Sequence, residues 1–214
     1  MRPRAVVFDF NGTLSNDEPI LCGIFRELFA AQGKPLAADE YYDRLAGLSD
    51  PEIVETWLGR GHSAIAEVIE QRIARYRAAV RDGSTVSEPV REAVRYAAER
   101  LPVAVVSGAA RAEIEPVLEA AGLRDAVSVI VSADDVVNGK PEPEGYLRAL
   151  ELLNEGLQPA EVVVFEDTEA GVAAAKTAGM RCIAVLGTLP AKRLAAADEL
   201  VPRLERSVVE RLLS

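Results

Sequence analysis

The spacing of apolar positions changes character along the chain. Residues 4–10 (RAVVFDF) form a β-branched and aromatic run that stops at Asn11-Gly12, which reads as a buried strand followed by a loop. From Glu18 the spacing turns helical. Ile20, Leu21, Ile24, Phe25, Leu28 and Phe29 make one apolar stripe closed by Gly33 and Pro35. Ile53, Val54, Trp57 and Leu58 repeat that spacing behind the helix-opening Ser49-Asp50-Pro51. Ile65, Val68, Ile69, Ile73, Tyr76 and Val80 then predict a longer helix. Residues 16–82 therefore carry helical patterns and no strand candidate.

After Asp82-Gly83-Ser84 the strands return. Residues 102–107 (PVAVVS), 127–132 (VSVIVS), 161–166 (EVVVFE) and 181–186 (RCIAVL) are continuous apolar runs rather than alternating ones. Strands buried on both faces of a parallel sheet have that pattern. Helical stretches at 90–98, 114–121, 146–153 and 172–178 separate them. Alternating strands and helices predict right-handed βαβ units, and so a doubly wound, Rossmann-like α/β core. The layout expected is a core of residues 1–15 and 83–214, with an all-helical insert at 16–82.

Composition narrows the function. A chain of 214 residues has room for one core and a smaller insert, and 49% hydrophobic with 27% charged residues excludes a disordered or fibrous protein. Against 24 Lys and Arg stand 34 Asp and Glu, a net charge of -10. Such a surface repels phosphate backbones and anionic lipid, so neither nucleic acid nor membrane is expected as a partner. Cys22 and Cys182 form no metal-ligand spacing and read as buried free thiols, while the single His62 excludes a histidine cluster. No apolar run approaches the ~18 residues of a membrane span, and Asp9 interrupts the apolar start, unlike a signal peptide. The expectation is a cytoplasmic protein, with a monomer as the default state.

In an open parallel sheet, ligands bind beyond the carboxyl ends of the strands. The residues there are Asp9 and Asn11, Ser107-Gly108, and Glu166-Asp167, with Lys140 in an Asn-Gly-Lys-Pro turn. Carboxylates, a hydroxyl beside free amides and one lysine at a single edge fit metal-dependent phosphoryl transfer. A phosphate ester repels a carboxylate nucleophile unless positive charge intervenes, and hard oxygen ligands suit Mg²⁺. Lys140 would add charge beside the transferring group, and Ser107 with the Gly108 amide would bind its oxygens.

FDFNGTL at 8–14, VVSG at 105–108, NGKPEPEGY at 138–146 and FEDTEAG at 165–171 resemble the four ordered motifs of the haloacid dehalogenase superfamily. The helical insert is similar to the cap of its phosphoglycolate phosphatase and β-phosphoglucomutase-like branch. The resemblance implies a Mg²⁺-dependent phosphatase of small phosphorylated metabolites, working through an aspartyl phosphate on Asp9. It implies phosphoryl binding by Ser107 and Gly108, orientation of nucleophile and phosphate by Lys140, and metal ligation by Asp9, the Asn11 carbonyl and Asp167. Glu166 would stand in or next to the metal's ligand set.

Asn11 departs from the family pattern, which has there the aspartate that serves as general acid and base. An amide can do neither, and losing such help typically costs ~10²–10⁴ in rate. Asp17 is the nearest substitute in sequence. Three alternatives stay open: a catalytically weak phosphate-binding or regulatory protein, a phosphonate hydrolase using Lys34, and a metal-free dehalogenase. Asp50 in the loop 46–50, where related enzymes with doubly phosphorylated sugars tend to carry arginine, points to a substrate with a neutral or cationic far end. Tyr41, Tyr42 and Trp57 are expected in the core of the insert, His62 on its surface, and Arg72, Arg75, Arg77 and Arg81 along a solvated helix face.

Overall fold

Each of the five continuous apolar runs becomes a strand in the computed structural model, which describes residues 2–153 and 156–214. In chain order the elements are β1 (Ala5–Phe8), α1 (Glu18–Ala31), α2 (Ala38–Arg44), α3 (Asp50–Leu58), α4 (Ile65–Val80), α5 (Glu88–Ala98), β2 (Val103–Val106) and α6 (Arg111–Ala120). There follow β3 (Val129–Val131), α7 (Glu144–Leu153), β4 (Val162–Glu166), α8 (Glu169–Thr177), β5 (Arg181–Val185), β6 (Glu199–Val201) and α9 (Arg206–Leu213). All strand pairs are parallel, and the sheet order is β3-β2-β1-β4-β5-β6.

That order explains the strand composition. β1 lies between β2 and β4, with Val6 opposite both Val103 and Val163, and every β1 residue is buried. Helices cover both faces, so no position along β1 is free to be polar. Phe8 stacks on Phe165 of β4 at 5.2 Å between ring centroids. Burial of each such side chain contributes about 1.5–3 kcal/mol. Because the chain winds one way from β1 to β2 and β3 and the other way from β4 to β6, a crevice opens between the carboxyl ends of β1 and β4.

Two elements at the chain's end are not predicted by the pattern. β6 is a three-residue edge strand in which Glu199 and Leu200 reach the surface, so it lacks a continuous apolar run. α9 packs on α5 through a narrow face that includes Val209 and Leu212.

The segment between β1 and α5 is helical, as the spacing predicts. α1 packs on α4 and α2, α3 on α4, and α4 also reaches α6 beside the sheet. Phe25 stacks on Phe29 and Tyr41, and Phe29 on Trp57, so these aromatics are the segment's own core. One expectation fails here: Arg72 does not belong to a solvated face. It is buried, at i+4 between Val68 and Tyr76 in the inward stripe of α4, whereas Arg75, Arg77 and Arg81 are exposed. No helix among the described residues is long and apolar enough to cross a membrane.

Candidate active site

The strand ends deliver their polar residues to one place. Asp9 follows β1 directly, and its N–H donates to the Phe165 carbonyl (2.9 Å), which pins it to β4. Ser107 is fixed in the same way against the Val131 carbonyl (2.9 Å). Asp9, Asn11, Ser107, Gly108 and Lys140 line a single cavity of about 120 Å³. That is small beside the ~300–1,000 Å³ of sites for drug-sized ligands, and suits a small metabolite. Glu18, Tyr41, Asp50 and Arg72 from the helical segment close its far side.

Lys140 stands between two acids. Its Nζ bonds Asp9 Oδ1 and Glu166 Oε1, and also donates to the Val106 carbonyl (3.3 Å). Burial opposes its charge, but the Asp9 and Glu166 carboxylates more than offset that and hold its pKa above the usual lysine range. Burial works against ionised Glu166 too, yet Lys140 outweighs it and the Glu166 pKa is lowered. Glu166 Oε1 also accepts from the Tyr146 hydroxyl (2.9 Å). Its Oε2 accepts from the Asp167 N–H (2.9 Å), the Thr168 N–H (3.0 Å) and Thr168 Oγ1 (3.0 Å). Five donors thus occupy its two oxygens.

Asp167 is placed differently. Thr13 Oγ1 donates to its Oδ1 (3.1 Å), while Oδ2 is buried without a hydrogen-bond partner among the described residues. A buried lone carboxylate oxygen is costly unless something positive meets it. Asp9, Glu166 and Asp167 bring one oxygen each within 4.8 Å of one another, a buried acidic cluster that could hold a metal ion. Burial and the neighbouring Asp9 and Glu166 charges push the Asp167 carboxyl far up. Burial lifts Asp9 to about 7 against the pull of Lys140. A divalent cation relieves both, and an all-oxygen donor set suits Mg²⁺. The backbone leaves room for this cluster. At Gly12 (φ +76°) a Cβ would stand 1.9 Å from Asp167 Oδ2, and at Gly171 one would stand 1.7 Å from Glu166 Oε1.

Asn11 is held from three sides. Its Nδ2 donates to Asp17 Oδ2 (3.0 Å) and to the Tyr76 hydroxyl (3.1 Å), and its Oδ1 accepts from Ser107 Oγ (3.3 Å). Tyr76 in turn donates to Asp17 Oδ2 (2.5 Å), and the Gly12 N–H donates to Asp17 Oδ1 (3.3 Å). Burial raises the Asp17 pKa despite these donors. Asp17 is fully enclosed and does not line the cavity. It serves Asn11 and does not reach a ligand.

Residues that the spacing alone does not single out complete the site. Arg72 bonds Glu113 of α6 and lies 3.2 Å from Asp50 of α3, tying the helical segment to the core across the cavity. Glu18 is buried, and its Oε2 accepts from the Tyr41 hydroxyl (3.1 Å). Lys34 donates to the Leu58 carbonyl (2.7 Å) and does not line the cavity, so the insert lysine that a phosphonate hydrolase's Schiff base needs does not reach it. His62 is half-buried, and its Nδ1 accepts from the Ala64 N–H (3.2 Å) in a turn before α4.

Comparison with known proteins agrees with this geometry. A family model described as haloacid dehalogenase-like hydrolase matches residues 3–179. The chain is 30% identical to validoxylamine A 7'-phosphate phosphatase of Streptomyces hygroscopicus subsp. limoneus, over 94% of both chains. It is 33% identical to the phosphorylated carbohydrates phosphatase of Thermotoga maritima, over 84% of this chain and 83% of that one. Among solved structures it is similar to a mutant CbbY from Rhodobacter sphaeroides in complex with xylulose-(1,5)bisphosphate. There the TM-score is 0.83 and the identity 28%, over 94% of this chain and 95% of that chain.

Proposed function

Because the chain belongs to the haloacid dehalogenase-like hydrolase family, we propose that it is a Mg²⁺-dependent phosphatase of small phosphomonoesters, acting through an aspartyl phosphate on Asp9. The observation that carries this reading is the Asp9–Lys140–Glu166 chain of contacts beside the partnerless Asp167 oxygen.

Asp9 Oδ1 is held by Lys140, which leaves Oδ2 as the attacking atom. Glu166, saturated by five donors, anchors Lys140 so that its ammonium faces both the nucleophile and the incoming phosphoryl group. Ser107 and the Gly108 amide bind phosphoryl oxygens, stabilising the charge that builds as the leaving group departs. Asp9, the Asn11 carbonyl and Asp167 would hold Mg²⁺, which supplies the charge neutralisation that lets a carboxylate approach a phosphate. The helical segment acts as a cap over the site, excluding water and choosing the substrate.

The far wall of the cavity shapes that choice. Arg72 is already committed to Asp50 and Glu113, and Glu18 adds a further carboxyl. A second phosphate would find no uncommitted cation on that wall among the described residues. We therefore assign monophosphates whose far end is neutral, hydroxylated or cationic. Free thiols at Cys22 and Cys182 are in keeping with work in the cytoplasm.

The test is acid-quenched mass spectrometry of enzyme mixed with Mg²⁺ and a phosphomonoester. A phosphate on the peptide spanning Asp9, absent in Asp9→Ala, is expected. Turnover without any such phosphopeptide would overturn the covalent route. Phosphate binding without turnover would favour the regulatory alternative that Asn11 suggests.

A further inference from the structure

Hydrolysis by the proposed route moves a proton twice, once to the leaving group and once from water, and Asn11 can neither give nor take it. The leaving oxygen of an alkyl phosphate must be protonated as its bond to phosphorus breaks. The water that later attacks the aspartyl phosphate must lose a proton. Three carboxylates line the cavity: Asp9, Asp50 and Glu18. Asp9 is the nucleophile. Asp50 is paired with the Arg72 guanidinium at 3.2 Å, so although burial raises its carboxyl it is not free to serve a substrate. Asp17, the nearer candidate in sequence, is enclosed and committed to Asn11, Tyr76 and Gly12. Glu18 alone of these faces the cavity without an ionic partner among the described residues. Tyr41 fixes its Oε2, and its Oε1 has no hydrogen-bond partner among the described residues.

We propose that Glu18 is the general acid and base of this phosphatase, replacing the function that Asn11 has lost. The inference rests on the phosphatase reading and deepens it. In the first step Asp9 Oδ2 forms a bond to phosphorus and the phosphorus–oxygen bond to the leaving group breaks. The Glu18 proton goes to that oxygen, which departs as an alcohol. In the second step water attacks the phosphorus, its proton returns to Glu18, and inorganic phosphate leaves as the Asp9 carboxylate re-forms. The cycle closes with Glu18 protonated as it began.

The surroundings of Glu18 suit this task. Burial and then the Asp17 charge raise its carboxyl to about 7, against the Tyr41 hydrogen bond and the Arg72 charge. Cys22, on its own helix, Tyr42 on α2, and Asp167 in the acidic cluster are the other titratable groups that sense it. A carboxyl poised near neutrality holds its proton for the first step and can take one in the second.

The test compares kcat/KM, which reports only steps through phosphoryl transfer to Asp9, for an alkyl phosphate and for p-nitrophenyl phosphate at saturating Mg²⁺. The nitrophenolate leaves without a proton. In Glu18→Gln the alkyl value should fall by ~10²–10⁴ and the aryl value by far less. The second step then limits turnover, so a burst of nitrophenolate should precede a slow steady rate. For the wild type, the alkyl kcat/KM should decline as pH rises through about 7, and Glu18→Gln should lack that limb. Tyr41→Phe removes a donor to Glu18, so it should move the limb to higher pH. Equal losses for both substrates with the limb intact would show that Glu18 only shapes the cavity, and would overturn the proposal. If the wild type releases no phosphate above the Asp9→Ala blank, the phosphatase reading itself fails; if it does and Glu18→Gln is unchanged, only this inference fails.

Discussion

Replacing Asn11 by aspartate would restore the family's usual residue, yet the structure predicts that it harms this protein. In Asn11→Asp the two donations from Nδ2, to Asp17 at 3.0 Å and to Tyr76 at 3.1 Å, disappear. A second carboxylate would face Asp17 across the same gap. At 3.0 Å and an effective dielectric near 20, two unit charges repel by about 5 kcal/mol. The folded state avoids this by keeping one proton on the pair, whereas the unfolded chain loses it near the ordinary aspartate value of about 3.9. The folded variant then binds one more proton than the unfolded chain above that pH. Burial already raises Asp17 in the wild type, so the variant's stability relative to wild type should fall by up to about 1.4 kcal/mol per pH unit once wild-type Asp17 is ionised and the pair still holds its proton. The penalty should be smaller at pH 5 than at pH 8, with the repulsion of about 5 kcal/mol as its ceiling. For a chain of this length each kcal/mol moves Tm by about 2–4 °C. Thermal unfolding at both pH values measures it directly. The exchange variant Asn11→Asp/Asp17→Asn again sets an amide against a carboxylate and should recover most of the loss, a coupling that a double-mutant cycle isolates. A penalty independent of pH, or no recovery on exchange, would show that Asp17 does not repel the new carboxylate.

Other consequences can be checked singly. Arg72→Met strips Glu113 and Asp50 of their buried cation and should cost about 3–5 kcal/mol in urea unfolding; Arg72→Met/Glu113→Gln should regain part of it. Gly171→Ala would drive a methyl into Glu166 and displace Lys140. Its kcat/KM should drop about 100-fold or more, measured at saturating Mg²⁺. Mg²⁺ at 100 times its Kd should stabilise the wild type by about 2.7 kcal/mol. Asp167→Asn should lose that shift in a thermal melt.

Much of this was legible before folding, for definite reasons. β1, β2 and β4 are buried along their whole length and β3 and β5 along most of theirs, so their runs are continuous, and the sheet's chemistry must then lie just past their ends. Asp9, Ser107 and the Glu166-Asp167 pair could be picked out on that ground, with Lys140 in its turn nearby. What stayed hidden depends on contacts between distant segments. Tyr76 and Asp17 are 59 residues apart, and nothing local marks them as partners. Arg72 looks like one of four surface arginines, although its place four residues from both Val68 and Tyr76 puts it on the inward stripe. Glu18 reads as an ordinary acidic residue in a first helical turn until α2 brings Tyr41 to it. β6 escaped because a short edge strand has a solvent side and no continuous run.

Everything proposed for this site rests on Asp9-dependent phosphate release. The direct measurement is Mg²⁺-dependent release from a panel of aryl, acyl, alkyl and sugar monophosphates, with Asp9→Ala as the blank. Release is expected across the panel, including alkyl and sugar esters, and should vanish in the blank and on chelation of the metal. Release equal in wild type and blank, or none from any substrate, would contradict it.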